Sequence, residues 1–244
     1  RALAIAESVW GLDHPETATV ATNLAPLLIA SGESARARML LEQALVGQER
    51  LLGASHPSLS MTHMQLGLVA LNDGDIGRGI AELEKCVAGR RADPPTATGA
   101  ICRLNLAQAR LLVGGCASAL PELRGVAQEF TALQKGNEHD REIAIALLTE
   151  AGCEIDSEPR KADAALARVE ETVPAVADPT MHAETKLMRA HIRWTRGEHD
   201  EARALARAAR AALATPGATD PEIIAMGGSE QSLIRRIDDW LAEH

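Results

Sequence analysis

The segment ALAIAESVWGLDHP at residues 2–15 returns 42 residues later as ALVGQERLLGASHP at residues 44–57. Six positions are identical in the two copies, including the closing Gly-x-x-His-Pro. Self-similarity at a period of about 20 to 50 residues is the signature of a repeat architecture, in which each unit packs only on its neighbours. The sequence therefore predicts a stack of similar units and not one enclosed core.

Small side chains recur at one phase of these units, at spacings of 42, 40, 43 and 40 residues. A turn residue follows seven positions later, and a second small residue follows five positions after that. Small residues let two helices approach closely, and a glycine in the left-handed conformation ends a helix. The pattern predicts pairs of antiparallel helices. The first small positions are Ala25, Gly67, Ala107, Glu150 and Ala190, with Glu150 as the exception; the turn residues are Gly32, Gly74, Gly114, Ser157 and Gly197; the second small positions are Ala37, Gly79, Ala119, Ala162 and Ala202.

These landmarks divide the chain into segments. The last segment carries Leu233, Ile237, Trp240 and Leu241 on one helical side and charges on the other, as a helix that covers the end of an array requires. We expect residues 1–12 to be the second helix of a truncated repeat, residues 13–94 two well-matched repeats, residues 95–179 two divergent repeats, residues 180–219 a fifth repeat, and residues 220–244 a C-terminal capping helix.

Composition narrows the classes of function. Hydrophobic residues make up 46% of the chain but aromatic residues only 2%, so alanine and leucine must fill the core, which favours helices over sheets. The net charge is −9, and no basic stripe with stacking aromatics is present, which argues against nucleic-acid binding. No apolar run approaches the roughly 18 residues of a membrane span. We therefore expect neither a nucleic acid nor a membrane as partner.

The four cysteines, Cys86, Cys102, Cys116 and Cys153, contain no Cys-x-x-Cys pair. We favour the interpretation that they are small, reduced, buried side chains of a cytoplasmic protein. Disulfides or a redox switch are the alternative.

Motifs for catalysis and cofactor binding are absent from the sequence. It contains neither Gly-x-Gly-x-x-Gly nor the Gly-x-x-x-x-Gly-Lys-Ser/Thr loop, and no His-Glu-x-x-His. His182 and His191 are nine residues apart, which does not place them on one helical face as a metal pair. We predict no catalytic residue, no metal site and no cofactor in this chain, and hence no enzymatic activity of its own.

The chain resembles the tetratricopeptide repeat in its 42-residue form, like that of kinesin light chains. The resemblance rests on Asp13-His14-Pro15, Leu24-Ala25 with Gly32 and Ala37, and the inter-helix turn Gly197-Glu198-His199-Asp200-Glu201-Ala202. It implies an all-α, right-handed superhelical solenoid of about five helix-turn-helix repeats with a C-terminal capping helix.

The resemblance also implies a concave groove for extended peptides. In kinesin-light-chain-like repeats, an asparagine two residues before the small position often contacts the ligand backbone, and the matching residues here are Asn23, Gln65 and Asn105. An amide both donates and accepts a hydrogen bond, so it can pair with a peptide group. The structural alternative is that Asn23 and Asn105 cap or bridge neighbouring helices. The neighbouring groove positions would be Thr19, Thr22, Pro26, Met61, Met64, Leu68, Ile101, Leu104 and Gln108.

Three functional hypotheses follow. First, because the groove positions include no lysine or arginine, we expect a scaffold that binds a neutral to hydrophobic peptide or protein. Second, the chain is instead a regulatory or substrate-recruiting arm of a larger bacterial serine/threonine protein kinase or signalling ATPase, whose catalytic domain lies outside these residues. Third, exposure of Ile5, Val9 and Trp10 on the first helix would make the chain a homodimer.

Overall fold

The computed structural model describes residues 1–11, 14–89, 95–174, 178–213 and 230–244. These residues form α-helices and no strand, so the all-α prediction is confirmed. The helices are α1 (Ala2–Trp10), α2 (Pro15–Ala30), α3 (Ser34–Leu52), α4 (Leu59–Asn72), α5 (Ile76–Gly89), α6 (Ala97–Leu123), α7 (Val126–Leu133), α8 (Asp140–Glu154), α9 (Pro159–Thr172), α10 (Pro179–Thr195), α11 (His199–Ala212) and α12 (Glu230–Glu243).

The first compact unit comprises Arg1–Glu122. In it, α2 packs on α3 and α4 packs on α5, and each pair is joined by a turn that contains a left-handed glycine, Gly32 at φ 80° and Gly74 at φ 82°. The backbone N–H of Glu33 donates to the carbonyl of Leu28 at 2.7 Å, as expected for a helix closed by such a glycine. The predicted helical hairpins are therefore present.

Small residues lie where the two helices of a hairpin cross. Ala25 and Ala37 are fully buried in the first hairpin. In the second, a Cβ atom added to Gly67 would lie 2.8 Å from Leu83 Cγ and 3.1 Å from the carbonyl oxygen of Gly79. The predicted role of these positions in close helix approach is confirmed.

Two histidines accept backbone hydrogen bonds near the first residue of a helix. The His14 side chain accepts a hydrogen bond from the Glu16 N–H at 3.2 Å, and His56 accepts one from the Ser58 N–H at the same distance. In α2 the imidazole nitrogen thus satisfies a backbone donor that the first turn of the helix leaves without a partner, whereas Ser58 directly precedes α4. The sequence also predicts Asp13 as a cap of α2, and Asp13 lies outside the described residues.

The third hairpin is more broken than the sequence pattern predicts. The helical residues of α6 are interrupted at Gly115, whose φ of 60° and ψ of −161° are not helical. Gly125, at φ 85°, introduces a further turn before α7. Glycine adopts these angles without the steric cost that other residues incur.

The second compact unit comprises Leu123–His244. It contains the hairpins α8–α9 and α10–α11, and α12 packs on the second of them. The sequence Gly227-Gly228-Ser229 predicts a break and a helix cap before α12, and these three residues lie outside the described residues. The shared core of α10, α11 and α12 consists of Ala183, Leu187, Ala209, Leu213, Leu233 and Ile237.

Glu150, the exception among the small positions, is half-buried on α8. Its carboxylate accepts a hydrogen bond from Lys161 Nζ of α9 at 3.4 Å, and the same ammonium donates to Glu154 at 2.6 Å. The bond to Glu154 raises the pKa of Lys161. An ion pair thus replaces the close apolar contact of the other hairpins.

The prediction of reduced cysteines is wrong, and the alternative of disulfides is confirmed, because none of the four cysteines is free. Cys86 of α5 and Cys102 of α6 form a disulfide, with their Cα atoms 5.7 Å apart and both side chains fully buried. The sequence could not reveal this pair, because the contact depends on how two successive hairpins pack. The cytoplasmic location rested on reduced cysteines and stays a prediction.

Candidate functional site

The candidate site lies on the first helices of the hairpins in the first unit, α2, α4 and α6. These helices touch one another directly. Ala25 and Leu28 of α2 share a core cluster with Leu66 and Val69 of α4. Asn105 Nδ2 of α6 lies 3.7 Å from Met64 Sδ of α4. The equivalent amide positions Asn23, Gln65 and Asn105 therefore occur on three successive, contacting helices.

The predicted groove residues differ in their accessibility. Thr19, Asn23 and Pro26 are exposed; Met61, Leu68, Ile101, Asn105 and Gln108 are half-buried; Thr22, Met64, Gln65 and Leu104 are buried. Met64 is only 5% exposed and packs in a core cluster with Leu83, Cys86 and Leu106. Met64 is therefore a core residue beneath the predicted groove. A ligand in the groove would contact the more accessible Met61 and Leu68 instead.

Gln65, among the predicted groove residues of α4, has a side-chain oxygen that makes no hydrogen bond within the described part of the chain. Its side chain is 7% exposed, and its amide oxygen has no hydrogen-bond partner among the described residues. Leaving a buried acceptor without a partner costs on the order of 1 to 3 kcal/mol. Met61 and Leu68 lie four residues before and three residues after Gln65, so the three side chains share one side of α4.

Asn105 is used partly within its own helix. Its Nδ2 donates to the backbone carbonyl of Ile101 at 3.0 Å. This bond agrees with the alternative interpretation that the Asn105 amide has a structural role and does not bind a peptide with its N–H group. Asn23 on α2 is exposed and reaches solvent.

Uncharged residues dominate the face. Neither Pro15–Ala30 nor Leu59–Asn72 contains lysine or arginine. On α6, Arg103 donates to the carbonyl of Glu122 at 2.9 Å, and Arg110 donates to the Glu84 carboxylate at 2.9 Å. The cations of these three helices are therefore engaged with acidic or carbonyl groups, which disfavours an anionic ligand.

A buried polar network lies between α4 and α5. His63 Nδ1 and Glu82 Oε2 are 2.7 Å apart, and Lys85 Nζ donates to Glu82 Oε1 at 2.9 Å. The hydrogen bond to His63, and then the bond and charge of Lys85, lower the pKa of Glu82 to about 2 against the opposing effect of burial. Sequence reasoning missed this network. The available signal was polar His63 at the repeat position where the previous unit has Ala21.

Neither a metal-ligand cluster nor a membrane-spanning helix occurs among the described residues. Their His, Cys, Asp and Glu side chains form no group of three or more placed to hold a metal ion. None of the helices within the described ranges combines the length and the apolar composition that crossing a bilayer requires.

Comparison with known proteins agrees with this geometry. Residues 17–58 match the family model of the tetratricopeptide repeat. Two crystal structures of a putative kinesin light chain from Podosopora anserina, with nearly identical TPR-like repeats, have TM-scores of 0.67 and 0.66 and 21% identity; they cover 82% of this chain and 96% and 97% of their own. BtubC (BKLC) from P. vanneervenii has a TM-score of 0.67 and 17% identity, with 84% of each chain covered.

No sequence among curated proteins matches the chain significantly. Residues 17–58 thus match a tetratricopeptide repeat, and the chain has a TPR-like helical repeat fold similar to that of these solved structures.

Proposed function

We propose that α2, α4 and α6 bind an extended, neutral or hydrophobic segment of a partner protein. The fold is that of a protein-interaction scaffold, and binding would occur without turnover. The observation that carries the proposal is the amide oxygen of Gln65, a buried acceptor without a partner between two half-buried apolar side chains.

An extended peptide supplies the hydrogen-bond donors that this surface lacks. Its backbone N–H groups are donors, and one of them would satisfy the Gln65 acceptor. Met61, Leu68 and Ile101 would contact its side chains, since methionine adapts to irregular apolar shapes. The uncharged face favours a peptide without acidic residues because acidic side chains would lose water without gaining a cation.

Two other hypotheses stay predictions. A regulatory arm of a larger kinase or ATPase would use the same face to recruit a substrate or regulator, with the chemistry outside this chain. Pairing of two chains through α1 would use a different surface: Ile5, Val9 and Trp10 are indeed exposed in the structure.

The substitution Gln65→Leu tests the proposal. It removes the acceptor but keeps the side-chain volume, so we expect the melting temperature to stay the same or rise. Loss of one hydrogen bond would weaken peptide binding by about fivefold. The measurement is fluorescence anisotropy with labelled uncharged ten-residue peptides rich in Leu, Val and Thr, with acidic peptides of matched length for comparison.

Met39→Ala is the matched control, because Met39 lies on α3 and is 61% exposed. It should change neither binding nor stability. A Gln65→Leu chain that melts earlier and binds the peptides unchanged would assign Gln65 to structure and contradict the proposal.

A further inference from the structure

A disulfide joins the second hairpin of the first unit to the helix that follows it. The bond links Cys86 of α5 to Cys102 of α6, which are 16 positions apart, and both side chains are fully buried. The position of α6 against the α4–α5 hairpin is therefore fixed by a covalent bond as well as by packing.

Both cysteines belong to the apolar core beneath the predicted groove, where they share a cluster with Met64 of α4. The half-buried side chains of Met61, Leu68 and Ile101, which the proposed function assigns to peptide contact, pack against this same cluster. Ile101 directly precedes Cys102 in α6. Any movement of α6 at the disulfide would therefore change the distance of Ile101 from Met61 and Leu68.

The two amides of the groove depend on the same joint. Gln65 follows Met64 in α4, and Asn105 lies one helical turn after Cys102 in α6. Asn105 Nδ2 is 3.7 Å from Met64 Sδ, so the two helices meet at this point. The separation of Gln65 from Asn105 is thus set where α4 and α6 pack around the disulfide.

We propose that the Cys86–Cys102 disulfide is a redox-sensitive clamp of the groove. The oxidised chain holds α4 and α6 in the arrangement that binds a peptide, and reduction by a dithiol loosens it. This inference rests on the proposed function and assigns a regulation to the same site.

The reduction proceeds by thiol–disulfide exchange. A thiolate of the dithiol attacks one cysteine sulfur, the S–S bond breaks, and a mixed disulfide forms. The second thiolate of the dithiol then attacks the reagent sulfur of that mixed disulfide, so the reagent becomes a disulfide and both cysteines become thiols. Two electrons pass from the dithiol to the cysteines, and its two protons end on the two cysteine sulfurs.

Reduction should disturb the packing of this core. Two thiols require more room than one disulfide, because their sulfur atoms are then in van der Waals contact and no longer bonded. The cluster around them is closely filled, with Leu83 fully buried and Ala109 1% exposed. An overfilled core relaxes by moving side chains and backbone. We therefore expect α6 to move away from α4 and α5 once the bond is cut.

Burial of the cysteines also couples the reaction to the peptide. A dithiol reaches the sulfur atoms only when the cluster opens, because both side chains are fully buried. If reduction weakens peptide binding by a given factor, bound peptide must shift the reduction equilibrium towards the disulfide by the same factor. Peptide should therefore protect this disulfide from reduction.

Peptide affinity of the full chain before and after treatment with dithiothreitol tests this inference. The probes are the uncharged ten-residue peptides rich in Leu, Val and Thr, followed by fluorescence anisotropy, and thiol alkylation with mass spectrometry verifies that Cys86 and Cys102 are reduced. We expect reduction to weaken binding by about tenfold and reoxidation to restore it. Methyl NMR without peptide should show shifts of Met61, Leu68 and Ile101 on reduction.

Two double variants are the controls. Cys86→Ala with Cys102→Ala removes the clamp, so dithiothreitol should leave its affinity unchanged. Cys116→Ser with Cys153→Ser should keep the full response of the wild type, because these two half-buried cysteines are not members of the cluster.

Equal affinities of the oxidised and the reduced chain would overturn the inference and leave the proposed function intact. Loss of the helical circular dichroism on reduction would overturn it as well, because the bond would then hold the fold and not the groove. A chain that binds none of the peptides in either redox state would contradict the proposed function itself, and this inference with it.

Discussion

The two units differ in how they end and in how their hairpins are joined. In the second unit, α12 places Leu233 and Ile237 on the last hairpin and closes its apolar side. In the first unit, Ile5 and Leu27 remain open. The second unit therefore has an apolar cluster at its last hairpin, whereas the first unit has exposed apolar side chains on its first two helices.

The joints between successive hairpins differ as well. In the first unit, Leu66 of α4 packs in an apolar cluster with α2 and α3. At the equivalent position of the second unit stands Arg189 of α10, which donates to Asp163 of α9 at 3.0 Å. The same fold therefore uses an apolar joint in one unit and an ionic joint in the other.

The largest expected effect concerns the closed end. Ile237→Ala should lower the free energy of unfolding of the second unit by about 3 kcal/mol, because it leaves a cavity in a fully buried cluster. Ile5→Ala at the open end should cost less than about 1 kcal/mol. Urea unfolding monitored by circular dichroism gives both values. Equal losses of stability would contradict the claim that Ile237 is packed in a closed core and Ile5 is not.

Acid should affect the first unit selectively. The pKa of Glu82 is about 2 in the folded chain and 4.5 ordinarily, so its contribution is present above pH 4.5 and is lost as the pH falls towards 2. The shift corresponds to up to about 3 kcal/mol. Trp10 lies in the first unit and Trp194 in the second, so single-tryptophan variants report each unit separately.

Glu82→Gln is the control for the acid effect. It should lower stability at neutral pH and flatten the dependence between pH 4.5 and 2. If Trp194 reported the same acid loss as Trp10, the assignment of the effect to Glu82 would fail.

A smaller effect is expected at the ionic joint. Asp163 also pairs with Arg193 at 3.1 Å and Arg196 at 3.8 Å, so one carboxylate serves three guanidinium groups. Asp163→Asn should lower the free energy of unfolding of the second unit by about 2 kcal/mol, because it removes an ion-pair partner from the half-buried Arg189 and Arg193. Raising the salt concentration from 0.1 to 1 M should reduce that cost, since salt screens such pairs.

Chemical denaturation of the wild type and Asp163→Asn at both salt concentrations measures this effect. Leu66→Ala in the first unit supplies the apolar comparison, and its cost should not decrease with salt. A salt-independent cost of Asp163→Asn would show that packing, not charge, holds α9 on α10.

The local part of the fold was predictable from the sequence. Gly32, Ala25 and Ala37 act through backbone conformation and side-chain size, which are properties of single residues at fixed spacing. The prediction of hairpins follows from them, and a family model covers residues 17–58. Gly125 was missed because the repeat pattern has no landmark at its position.

The features that depend on tertiary pairing were not predictable. The disulfide of Cys86 with Cys102 and the pair of His63 with Glu82 join residues 16 and 19 positions apart on different helices. Met64 was expected in the groove, but it lies on the side of α4 that packs in the core. The sequence period predicts that these residues are helical. Which side of the helix faces the core depends on how the neighbouring helices pack against it.

NMR mapping of an uncharged extended peptide on the chain tests most directly whether α2, α4 and α6 form the recognition surface. If they do, chemical-shift changes are expected at Met61, Gln65 and Leu68 of α4 and at Asn105 of α6. Shifts concentrated on the exposed residues of α3 and α5, with α4 and α6 unchanged, would contradict the claim that the first helices form the recognition surface.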